Sequence, residues 1–341
     1  MKALSKTKAA TIYEVARRAG VSIATVSRAL RDSSLVTEQT RARVHAAAAE
    51  LHFTPSRLGR SLAEGRHAAN GIVFPDLVGP YYAEVVLGYE QTAAELGASV
   101  LILTTHGRRD TVAAVRDLAG RVDGMAIISD TVSDDVVAGL DLPLVLVARP
   151  PVDGVDTIRT RNERTATELA THLLAHGHRR FVFLGDPQAA PDVAGRYAGL
   201  RAGLRTAGLN APAVPCELRL EAGTAAAHDL LRDPPDALVC ANDEVALGVL
   251  LAAEQAGLDV PRDLAVTGWD DLLAARFAGL STVRQPIREL GATAARWLHG
   301  RIHERTADPD SRPVAARRRV LPTQLVVRRS CGTHPPEARE S

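Results

Sequence analysis

The residues best suited to chemistry in this chain are short polar and cationic side chains between positions 22 and 31. At helical spacing, one side of this stretch carries Ala24, Ser27, Arg28 and Arg31. The opposite side carries Val26, Ala29 and Leu30. Hydroxyl and guanidinium groups donate hydrogen bonds to base edges and phosphates, and an α-helix fits the major groove. The pattern predicts a short helix that buries its apolar side and presents the other side to nucleic acid.

Two further helices are expected around this one. Thr11 and Glu14 have the spacing of a capping box, and Gly20 ends the helix that follows. Ser22 suits the N-cap of the polar helix, and Thr37 caps a third helix. The apolar faces of the first and third helices are Ile12, Val15, Ala16 and Ala19, and Val44, Ala47, Ala48 and Leu51. The segment is therefore a helix-turn-helix, or else a three-helix bundle whose basic face is only solvated.

The charge distribution favours a nucleic-acid partner. The 341 residues carry a net charge of +1 and are 46% hydrophobic, which is enough for sizeable cores. Residues 1–66 hold twelve Lys and Arg against five Asp and Glu, whereas the remainder holds 29 against 35. A basic segment joined to an acidic body indicates a polyanion partner for the first segment alone.

Cysteine usage and hydrophobic runs restrict the class of protein. Cys216, Cys240 and Cys331 are odd in number and far apart, so neither a disulfide framework nor a zinc spacing is visible. The first residues lack the apolar run of a secretory signal, and no run reaches the length of a spanning helix. We therefore expect a cytoplasmic protein without cofactors and without membrane contact.

Residues 55–66, PSRLGRSLAEGR, predict a second DNA-contacting element. A short helix over 57–63 is marginal alone, and Gly59 weakens it further. We expect this helix to form only against its dimer mate on DNA. Leu58 and Leu62 lie one turn apart and could instead pack on the following domain. The cations that could contact phosphates are Arg57, Arg60 and Arg66.

From residue 71 onward the sequence alternates between strands and helices. The apolar strand runs are Gly71–Phe74, Ser99–Leu103, Met125–Ile128, Leu144–Val147, Phe181–Leu184, Ala237–Cys240 and Leu264–Thr267. Helical segments between them include Tyr82–Leu96, Thr165–Ala175, Ala194–Ala207 and Val245–Ala256. This rhythm predicts parallel sheets with helices on both faces, and it occurs twice, before and after about Arg161. Since ligands bind beyond the carboxyl ends of such strands, two lobes would hold one in the cleft between them.

Several motifs together carry a specific resemblance. They are Thr11-Ile12-Tyr13-Glu14-Val15-Ala16, Ala19-Gly20-Val21-Ser22 and Thr25-Val26-Ser27-Arg28, continued by Val36-Thr37, Thr40-Arg41, Leu51, Phe53 and Pro55. With these residues, and on to about residue 330, the chain resembles the LacI/GalR family of transcription regulators. The resemblance implies an all-α helix-turn-helix headpiece (1–54), a hinge helix and linker (55–67), an α/β two-lobed core of the periplasmic-binding-protein fold (68–330) and a disordered tail (331–341). Lobe 1 would comprise about 68–160 plus 288–320, and lobe 2 about 161–287 plus 321–330.

The resemblance also assigns roles in DNA binding. Ile23 and Ala24 stand where family members place the side chains that choose the operator; being apolar, they could contact only thymine methyl groups or exclude polar edges. Arg28 is then expected to bind guanine in a bidentate manner, or otherwise a phosphate. Leu62 stands where a family leucine wedges into the minor groove. The expected set is Thr11, Ser22, Ile23, Ala24, Thr25, Ser27, Arg28, Arg31, Arg57, Arg60 and Leu62.

The expected effector site collects residues that follow strands. Tyr81 and Tyr82 suit stacking on a ring or sugar face, or else they staple a helix start into the core. Arg196 matches a family arginine that reaches the effector, and Asp270 is expected to accept hydrogen bonds from ligand hydroxyls. The expected set is Asp76, Tyr81, Tyr82, Arg196, Asn242, Asp270 and Gln285.

Two features adjust this effector site. In the motif Asn242-Asp243-Glu244, Asn242 would face the pocket whereas Asp243 would cap the helix. Ala148 and Arg161 stand where the family often has Asp, and Leu218 stands near a frequent aromatic position. These departures argue against a typical pentose or hexose site. The effector could be smaller, anionic or unusual, or the cleft could be insensitive to small molecules.

Two other segments receive simpler interpretations. His172, His176 and His178 resemble metal spacing, but a helix ends at Gly177 between them, and the family often has His178 without metal. We therefore expect no metal site. Residues 308–319 are expected to form an exposed polar loop that ends in a solvated basic run.

These observations predict a transcription regulator, most simply a repressor, that responds to a small-molecule effector such as a sugar or related metabolite. It would bind a palindromic operator in double-stranded DNA as a homodimer, because one recognition helix gives too little affinity. The alternatives are a core that senses a protein partner, or a solute-binding protein with the same core fold. Catalysis is not expected, since GxxxxGK[ST], HExxH and GxSxG motifs are missing from the sequence.

Overall fold

The computed structural model describes residues 10–30, 35–53, 67–307 and 315–332. The chain divides into two units, one on each side of residue 68. The predicted hinge helix over 57–63 and four expected DNA contacts, Arg31, Arg57, Arg60 and Leu62, lie outside the described residues. Within the described ranges, no helix is long and apolar enough to cross a membrane.

The first unit is a headpiece of three helices, α1 (Ile12–Ala19), α2 (Ile23–Ala29) and α3 (Glu38–Glu50). The predicted capping box is confirmed: the Glu14 carboxylate accepts from the Thr11 amide at 2.7 Å, and the Thr11 hydroxyl accepts from the Glu14 amide at 3.4 Å. Gly20, at φ 64°, ends α1 in the left-handed conformation that glycine tolerates. The buried core consists of Val15, Ala16, Ala19, Val26, Ala29, Val36, Val44, Ala47 and Ala48.

The first lobe of the second unit is built on a six-stranded parallel sheet. In chain order its strands are β1 (Ala69–Phe74), β2 (Ser99–Thr104), β3 (Gly124–Ile128), β4 (Leu144–Val147), β5 (Asp156–Thr160) and β11 (Arg318–Leu321). They lie in the order β11-β5-β4-β3-β1-β2. The helices are α4 (Pro80–Glu95), α5 (Thr111–Ala119), α6 (Asp134–Ala138) and α12 (Ile287–Ala307). Ile72 and Phe74 pack toward α4 and α12, and Val73 packs toward α5, because successive strand residues face opposite sides.

The second lobe repeats this layering on a four-stranded parallel sheet. Its strands are β6 (Phe181–Leu184), β7 (Ala213–Val214), β8 (Ala237–Cys240) and β9 (Ala265–Thr267), in the order β7-β6-β8-β9. Phe183 packs toward α7 (Asn162–Ala175) and α8 (Pro191–Arg205). Leu238 packs toward α9 (Leu220–Leu230) and α10 (Asp243–Gln255) on the other face. A short helix, α11 (Leu273–Ala278), follows β9.

The chain passes between the lobes three times, from β5 to α7, from β10 (Thr282–Arg284) to α12, and from β11 to β12 (Gln324–Val326). β10 and β12 pair antiparallel beside the second lobe. Ile287 and Leu321 are both buried in the first lobe's core. The predicted boundaries at 288 and 320 therefore each omit one residue of lobe 1.

Three sequence-based expectations were wrong. β5, with the sequence DTIRT, was missed because its polar residues hide the strand pattern. The expected loop over 308–319 is too long at its end, because Arg318 and Arg319 lie in strand β11 and pair with β5. Residues 308–314 lie outside the described ranges. The expected tail over 331–341 begins too early, because Cys331 is buried at the end of a 3-10 helix (Arg329–Cys331).

Glycines allow α4 and α12 to pack closely in the first lobe. A methyl group on Gly291 would overlap the Val85 carbonyl oxygen, and one on Gly88 would overlap the Arg288 carbonyl oxygen. Residues larger than glycine would force the two helices apart. This packing fixes α12, which the chain reaches only after the second lobe, onto the first lobe.

Candidate functional site

The outward side of α2 presents the residues that the sequence assigned to base reading. Ile23, Ala24 and Arg28 are exposed, with Ile23 at 41%, whereas Thr25 and Ser27 are half-buried. Val26 and Ala29, both buried, fix the rotation of the helix. Arg28 has no ion-pair partner within the described headpiece residues. Its guanidinium is therefore available to a base edge or a phosphate.

Two hydroxyl residues of the expected DNA set cap helices. The Ser22 hydroxyl accepts a hydrogen bond from the Thr25 amide at 3.1 Å and lies 2.9 Å from the Thr25 hydroxyl. The Thr11 hydroxyl lies 3.0 Å from the Glu14 carboxylate. Thr11 and Ser22 therefore stabilise the N-termini of α1 and α2. A phosphate contact at these helix ends would be a second role for the same residues.

Sequence reasoning missed two exposed residues on α1. Tyr13 is 66% exposed, and Arg17, one turn later, is exposed on the same side. Arg18 instead forms an ion pair with Glu50 of α3 at 2.7 Å. The signal was the position of Tyr13, an aromatic residue outside the apolar spacing of α1. Tyr13 and Arg17 are additional candidates for the DNA-facing surface.

In the first lobe, the candidate ligand residues follow β1. Asp76 accepts a hydrogen bond from the Val78 amide at 3.0 Å. Tyr81 and Tyr82 lie in the first turn of α4, where Tyr82 packs edge-on against Phe74 with ring centroids 5.5 Å apart. Both tyrosines pack on the lobe's core, as the staple alternative required. The Tyr81 hydroxyl is nevertheless buried without a hydrogen-bond partner among the described residues.

In the second lobe, Arg196 of α8 is the central cation, and it is 5% exposed. Its Nη1 donates to the Ala241 carbonyl at 2.6 Å and its Nε to Asn162 Oδ1 at 3.5 Å. Nη2 lies 3.9 Å from Asp270 and 4.0 Å from Asp192. The guanidinium also stacks over the indole ring of Trp269, 5.0 Å from its centroid.

Asp270 and Gln285 form a buried hydrogen-bonded pair next to Arg196. Gln285 Nε2 donates to Asp270 Oδ1 at 2.6 Å, while Gln285 Oε1 is buried without a partner among the described residues. Asp270 has a φ of 117°, a backbone conformation that non-glycine residues rarely adopt. Strain of this kind at a strand end is typical of residues held for binding.

Burial raises the pKa values of the carboxyl groups in this region. Removal from water raises the pKa of Asp270 to about 7, although Arg196 and the Gln285 hydrogen bond oppose the shift. Burial, reinforced by Asp270, raises the pKa of Asp243 to about 8. Burial also raises the pKa of Asp192 against the opposing charge of Arg196. These carboxyl groups repel one another, so the cleft holds negative charge with difficulty.

The capping role expected for Asp243 belongs to Asn242. Asn242 caps α10, since its Oδ1 accepts from the Val245 amide at 2.9 Å, and its amide donates to the Leu218 carbonyl at 3.2 Å. Asp243 is fully buried and accepts from the Thr282 hydroxyl at 2.6 Å and the Leu272 amide at 2.8 Å. Spacing alone could not separate the two, because both residues are good capping types at adjacent positions.

An ion pair crosses between the lobes. Arg219, at the N-cap of α9, lies with its Nη2 3.4 Å from Asp76 Oδ2. Glu244 also reaches the first lobe, since a methyl group on Gly79 would overlap its carboxylate. The two lobes are therefore in contact at these residues.

The structure brings together most of the expected effector residues. Five of them surround one region: Tyr81, Tyr82, Arg196, Asp270 and Gln285. The described contacts of Asn242, by contrast, are all within its own lobe. The sequence missed Asn162, Asp192, Trp269 and Arg219. Asp192 could have been found from its i, i+4 spacing to Arg196, and Trp269 from its position beside Asp270.

The positions that depart from the family lie at the edge of this region. Ala148 is buried at the end of β4, at a φ of 56°. The Arg161 side chain is exposed, and its carbonyl accepts from the Thr323 hydroxyl at 2.7 Å. Leu218 contributes its carbonyl to Asn242. None of the three supplies a charged or aromatic group to the cleft among the described contacts.

The three histidines surround the end of the described chain. His172 Nε2 lies 3.3 Å from Cys331 Sγ, and His178 Nε2 lies 3.0 Å from the Cys331 carbonyl. Within the part of the chain that the structure describes, no group of three His, Cys, Asp or Glu side chains could hold a metal ion.

Comparison with known proteins finds family matches for the headpiece and for the two-lobed core. The profile of bacterial regulatory proteins of the lacI family matches residues 11–56, and that of the periplasmic binding protein-like domain matches residues 170–331. The ribose operon repressor of Escherichia coli (strain K12) is 34% identical over 311 residues, 87% of this chain and 94% of that protein. The transcriptional repressor PurR of Pectobacterium carotovorum subsp. carotovorum (strain PC1) is 31% identical over 314 residues, 88% and 92% of the two chains.

Solved structures give the same result. The lac repressor dimer bound to operator and the anti-inducer ONPF superimposes with a TM-score of 0.82 at 27% identity, covering 96% of this chain and 100% of that one. A complex of the transcriptional regulator CelR with cellobiose matches with a TM-score of 0.68 at 28% identity, covering 94% and 99%. The two-lobed core with parallel sheets, expected from the sequence, is thereby confirmed.

Proposed function

The chain belongs to the lacI family of bacterial regulatory proteins, and from this premise we propose that it represses transcription as a homodimer whose operator affinity is set by a small molecule. The observation that carries the proposal is the pairing of an exposed recognition face on α2 with a cleft that buries polar groups. DNA binding and ligand binding then reside in separate units of one chain.

Arg28 supplies the base-reading part of the proposal. Full-length protein would first select its sites from a random DNA library, and the selected site would then be titrated with variants. Arg28→Ala should weaken binding by about 1 to 3 kcal/mol and relax specificity at one base pair, because a bidentate guanine contact is lost. Equal losses on selected and scrambled DNA would show that Arg28 contacts a phosphate instead.

Two variants serve as references in the same titration. Arg60→Ala, at the hinge position predicted from sequence, should weaken binding to all DNA alike and reduce the salt dependence. Arg164→Ala removes an exposed arginine of α7, outside the headpiece, that pairs with Glu168 at 2.9 Å. It should leave the affinity unchanged if the effects at Arg28 and Arg60 are local to the DNA-binding unit.

The cleft supplies the regulatory part of the proposal. A ligand that binds one relative position of the lobes better than another shifts the population toward that position, by as much as its differential affinity. By linkage, operator DNA must then change the ligand affinity by the same factor. Ligand titrations with and without operator DNA test this: equal affinities would exclude regulation by that ligand.

Exposed apolar side chains on the second lobe support homodimerisation. Phe277 is 83% and Leu273 is 68% exposed on one side of α11, and Leu251 of the adjacent α10 is 39% exposed. We assign this patch to a second copy of the chain, because a two-fold protein matches a palindromic operator. Phe277→Asp should convert a dimer to a monomer in light scattering. An unchanged mass would place the dimer contact elsewhere.

The proposed function also bears on catalysis and on cellular location. The chain acts by binding DNA and ligand and not by catalysis, which the repressor names of its relatives support. A regulator of this kind works where the chromosome is, so we place it in the cytoplasm.

A further inference from the structure

We propose that the second lobe carries a separate anion site, formed by Arg276 of α11 and Arg284 of β10, that binds a phosphate dianion. Asp271 and Arg328, two residues after β12, hold these two arginines in position. All four residues belong to one chain. The site therefore depends neither on the effector nor on a second copy of the protein.

The first observation is an excess of positive charge around one carboxylate. Arg284 Nε lies 2.6 Å and Arg276 Nη2 lies 3.6 Å from Asp271 Oδ2. Arg328 Nη2 lies 2.5 Å from Asp271 Oδ1. In the part of the chain that the structure describes, Asp271 is the one carboxylate within 4 Å of Arg276 or Arg284. Its single charge, which Arg328 shares, is too small to balance both of them.

The second observation is that both arginines have hydrogen-bond donors available. Arg284 donates from Nε to Asp271, and its two terminal nitrogens make no hydrogen bond to any other described residue. Arg276 reaches Asp271 only at 3.6 Å, which is longer than a hydrogen bond. The side chains of Arg276 and Arg284 are 57% and 48% exposed, so ions in solution can reach them. A planar guanidinium group matches the oxygens of phosphate.

The third observation is the spacing between the two guanidinium groups. Arg276 and Arg284 both approach the same oxygen of Asp271, so their groups lie close together. One phosphate can bridge them, because two of its oxygens can each accept a charge-assisted hydrogen bond of about 2.8 Å. The Asp271 side chain is only 1% exposed, so a ligand approaches from the side of the arginines.

Arg329 adds a further cation at the end of α11. Its Nη2 donates to the Ala278 carbonyl at 3.2 Å. A methyl group on Gly279 would lie 2.6 Å from its Nε, and Arg276 is in the last turn of the same helix. No carboxylate within the described ranges forms an ion pair with Arg329. The positive charge next to the proposed site therefore increases.

This site uses different side chains from those assigned to the effector. The Asp270 carboxylate contacts Gln285 and Arg196, whereas the neighbouring Asp271 carboxylate contacts arginines that the effector set does not include. The two carboxylates share no side-chain partner among the described contacts. Binding at Asp271 can thus be separated from binding at Asp270 by mutation.

A phosphate at this site should tie a segment between the lobes to the body of the second lobe. Arg284 belongs to β10, from which the chain passes into α12 of the first lobe, and Arg276 belongs to α11 of the second lobe. An anion that contacts both arginines holds β10 against α11. It should therefore stabilise the core by mass action and slow the local opening of β10.

The test uses full-length protein without DNA, in a phosphate-free buffer at pH 7.5 with sodium chloride keeping the ionic strength constant. Inorganic phosphate is titrated to about 10 mM, and urea unfolding is followed by the fluorescence of Trp269 and Trp297, which lie in the core. We expect the urea midpoint to rise along a saturating curve. General exclusion of phosphate from protein surfaces also stabilises, but it does not saturate in this range.

Two variants assign the effect to the proposed site. Arg276→Gln leaves the closest contacts of Asp271 intact and should weaken phosphate binding on the order of tenfold in calorimetric titration. Arg262→Gln is the matched control, because Arg262 is an exposed arginine of the same lobe with two carboxylates nearby, Asp259 at 3.8 Å and Asp263 at 3.2 Å. It should leave the phosphate affinity unchanged.

Hydrogen exchange locates the bound anion. Phosphate should slow amide exchange in β10 of the unaltered protein and should have little effect there in Arg276→Gln. Glycerol 3-phosphate in the same titration identifies the source of the anion. Tighter binding than inorganic phosphate would assign the site to phosphorylated metabolites, and equal or weaker binding would assign it to the inorganic ion.

Three results would overturn the proposed anion site. They are a urea midpoint that does not respond to phosphate in a saturable way, equal losses of affinity in Arg276→Gln and Arg262→Gln, and protection from exchange that is confined to the headpiece. Each of them leaves the proposed regulatory function intact, because neither operator binding nor the effector cleft uses Arg276 or Arg284.

Discussion

The headpiece and the cleft are both binding regions, but they collect their residues differently. The described recognition residues come from one stretch, Ser22 to Arg28, and their orientation depends on the buried Val26 and Ala29 of the same helix. The cleft assembles Asp76, Tyr81, Arg196, Asp270 and Gln285 from distant segments of the chain. Local contacts suffice for the first region, whereas the second exists only when both sheets have formed.

This difference shows where a single change should have distant effects. In the headpiece, each cap acts on the helix in which it lies, and the buried alanines belong to one small core shared by three neighbouring helices. In the core, one helix such as α12 covers a lobe that was begun more than 200 residues earlier, so a local change there should affect the whole lobe. The predictions that follow test this contrast, from the largest expected effect to the smallest.

Gly291→Ala should destabilise the core strongly, because the added methyl group would overlap the Val85 carbonyl oxygen. Relief requires α12 and α4 to move apart, so we expect a loss of about 4 kcal/mol in the free energy of unfolding. Trp269 and Trp297 are the two tryptophans of the sequence and both lie in the core. Tryptophan fluorescence during urea unfolding therefore reports the core alone.

Gly300→Ala is the matched control on the same helix. A methyl group there would meet Arg317 Nη1 at 3.5 Å, an ordinary contact with a flexible side chain. Because alanine favours helix over glycine by about 1 kcal/mol, this variant should be neutral or more stable. Equal losses in both variants would contradict close packing as the cause.

The core should lose stability as the pH rises. The folded-state pKa values of Asp270, about 7, and Asp243, about 8, lie above those of an exposed aspartate. Their contribution is complete below about pH 4, where both states are protonated, and is lost as the pH rises through 7 and 8. We expect the free energy of unfolding to fall by several kcal/mol between pH 5 and pH 8, at most about 7 kcal/mol for the two groups together.

The same fluorescence measurement at several pH values checks this prediction. Asp270→Asn should flatten the dependence, since the amide cannot ionise. Asp233→Asn, a change at an 85% exposed carboxylate, should leave the slope unchanged. A slope that Asp270→Asn does not alter would assign the pH dependence to other groups.

Ser22→Ala should produce the smallest effect, confined to α2. It removes the hydrogen bond from the Thr25 amide at 3.1 Å, which is worth about 1 kcal/mol at an N-cap. Hydrogen exchange should accelerate in α2, while the tryptophan-detected unfolding of the core stays the same. A shift of the core transition would contradict the separation of the two units.

The headpiece was largely predictable from its sequence. Thr11, Ser22 and Thr37 all act as N-caps, and the residues predicted to face inward in α1 and α3 are mostly those that are buried. Capping and helical periodicity are local properties, so a single segment contains the information. Tyr13 was missed because the apolar spacing identifies inward-facing residues, and its position outside that spacing was not used.

The cleft was predictable only in part. Strand ends led to Asp270, and the resemblance led to Arg196. The burial of Asp243, however, depends on Thr282, 39 residues later in the chain. β5 and β11 were missed because their polar residues gain a strand conformation from pairing with each other. Arg219 has no sequence signal, since its partner Asp76 lies 143 residues away.

The triple passage of the chain between the lobes also sets the order in which the protein can be completed during synthesis. The second lobe's sheet and five helices end with β9 and α11, before α12 has left the ribosome. The first lobe begins earlier but waits for Ile287 and Leu321, which close its core. The second lobe in turn waits for Cys331, which is buried in its core, so neither lobe is complete until the last described residues have been made. Until α12 has been made, the apolar face of the first sheet that it covers is exposed. During that time this face could associate with neighbouring chains unless another protein shields it.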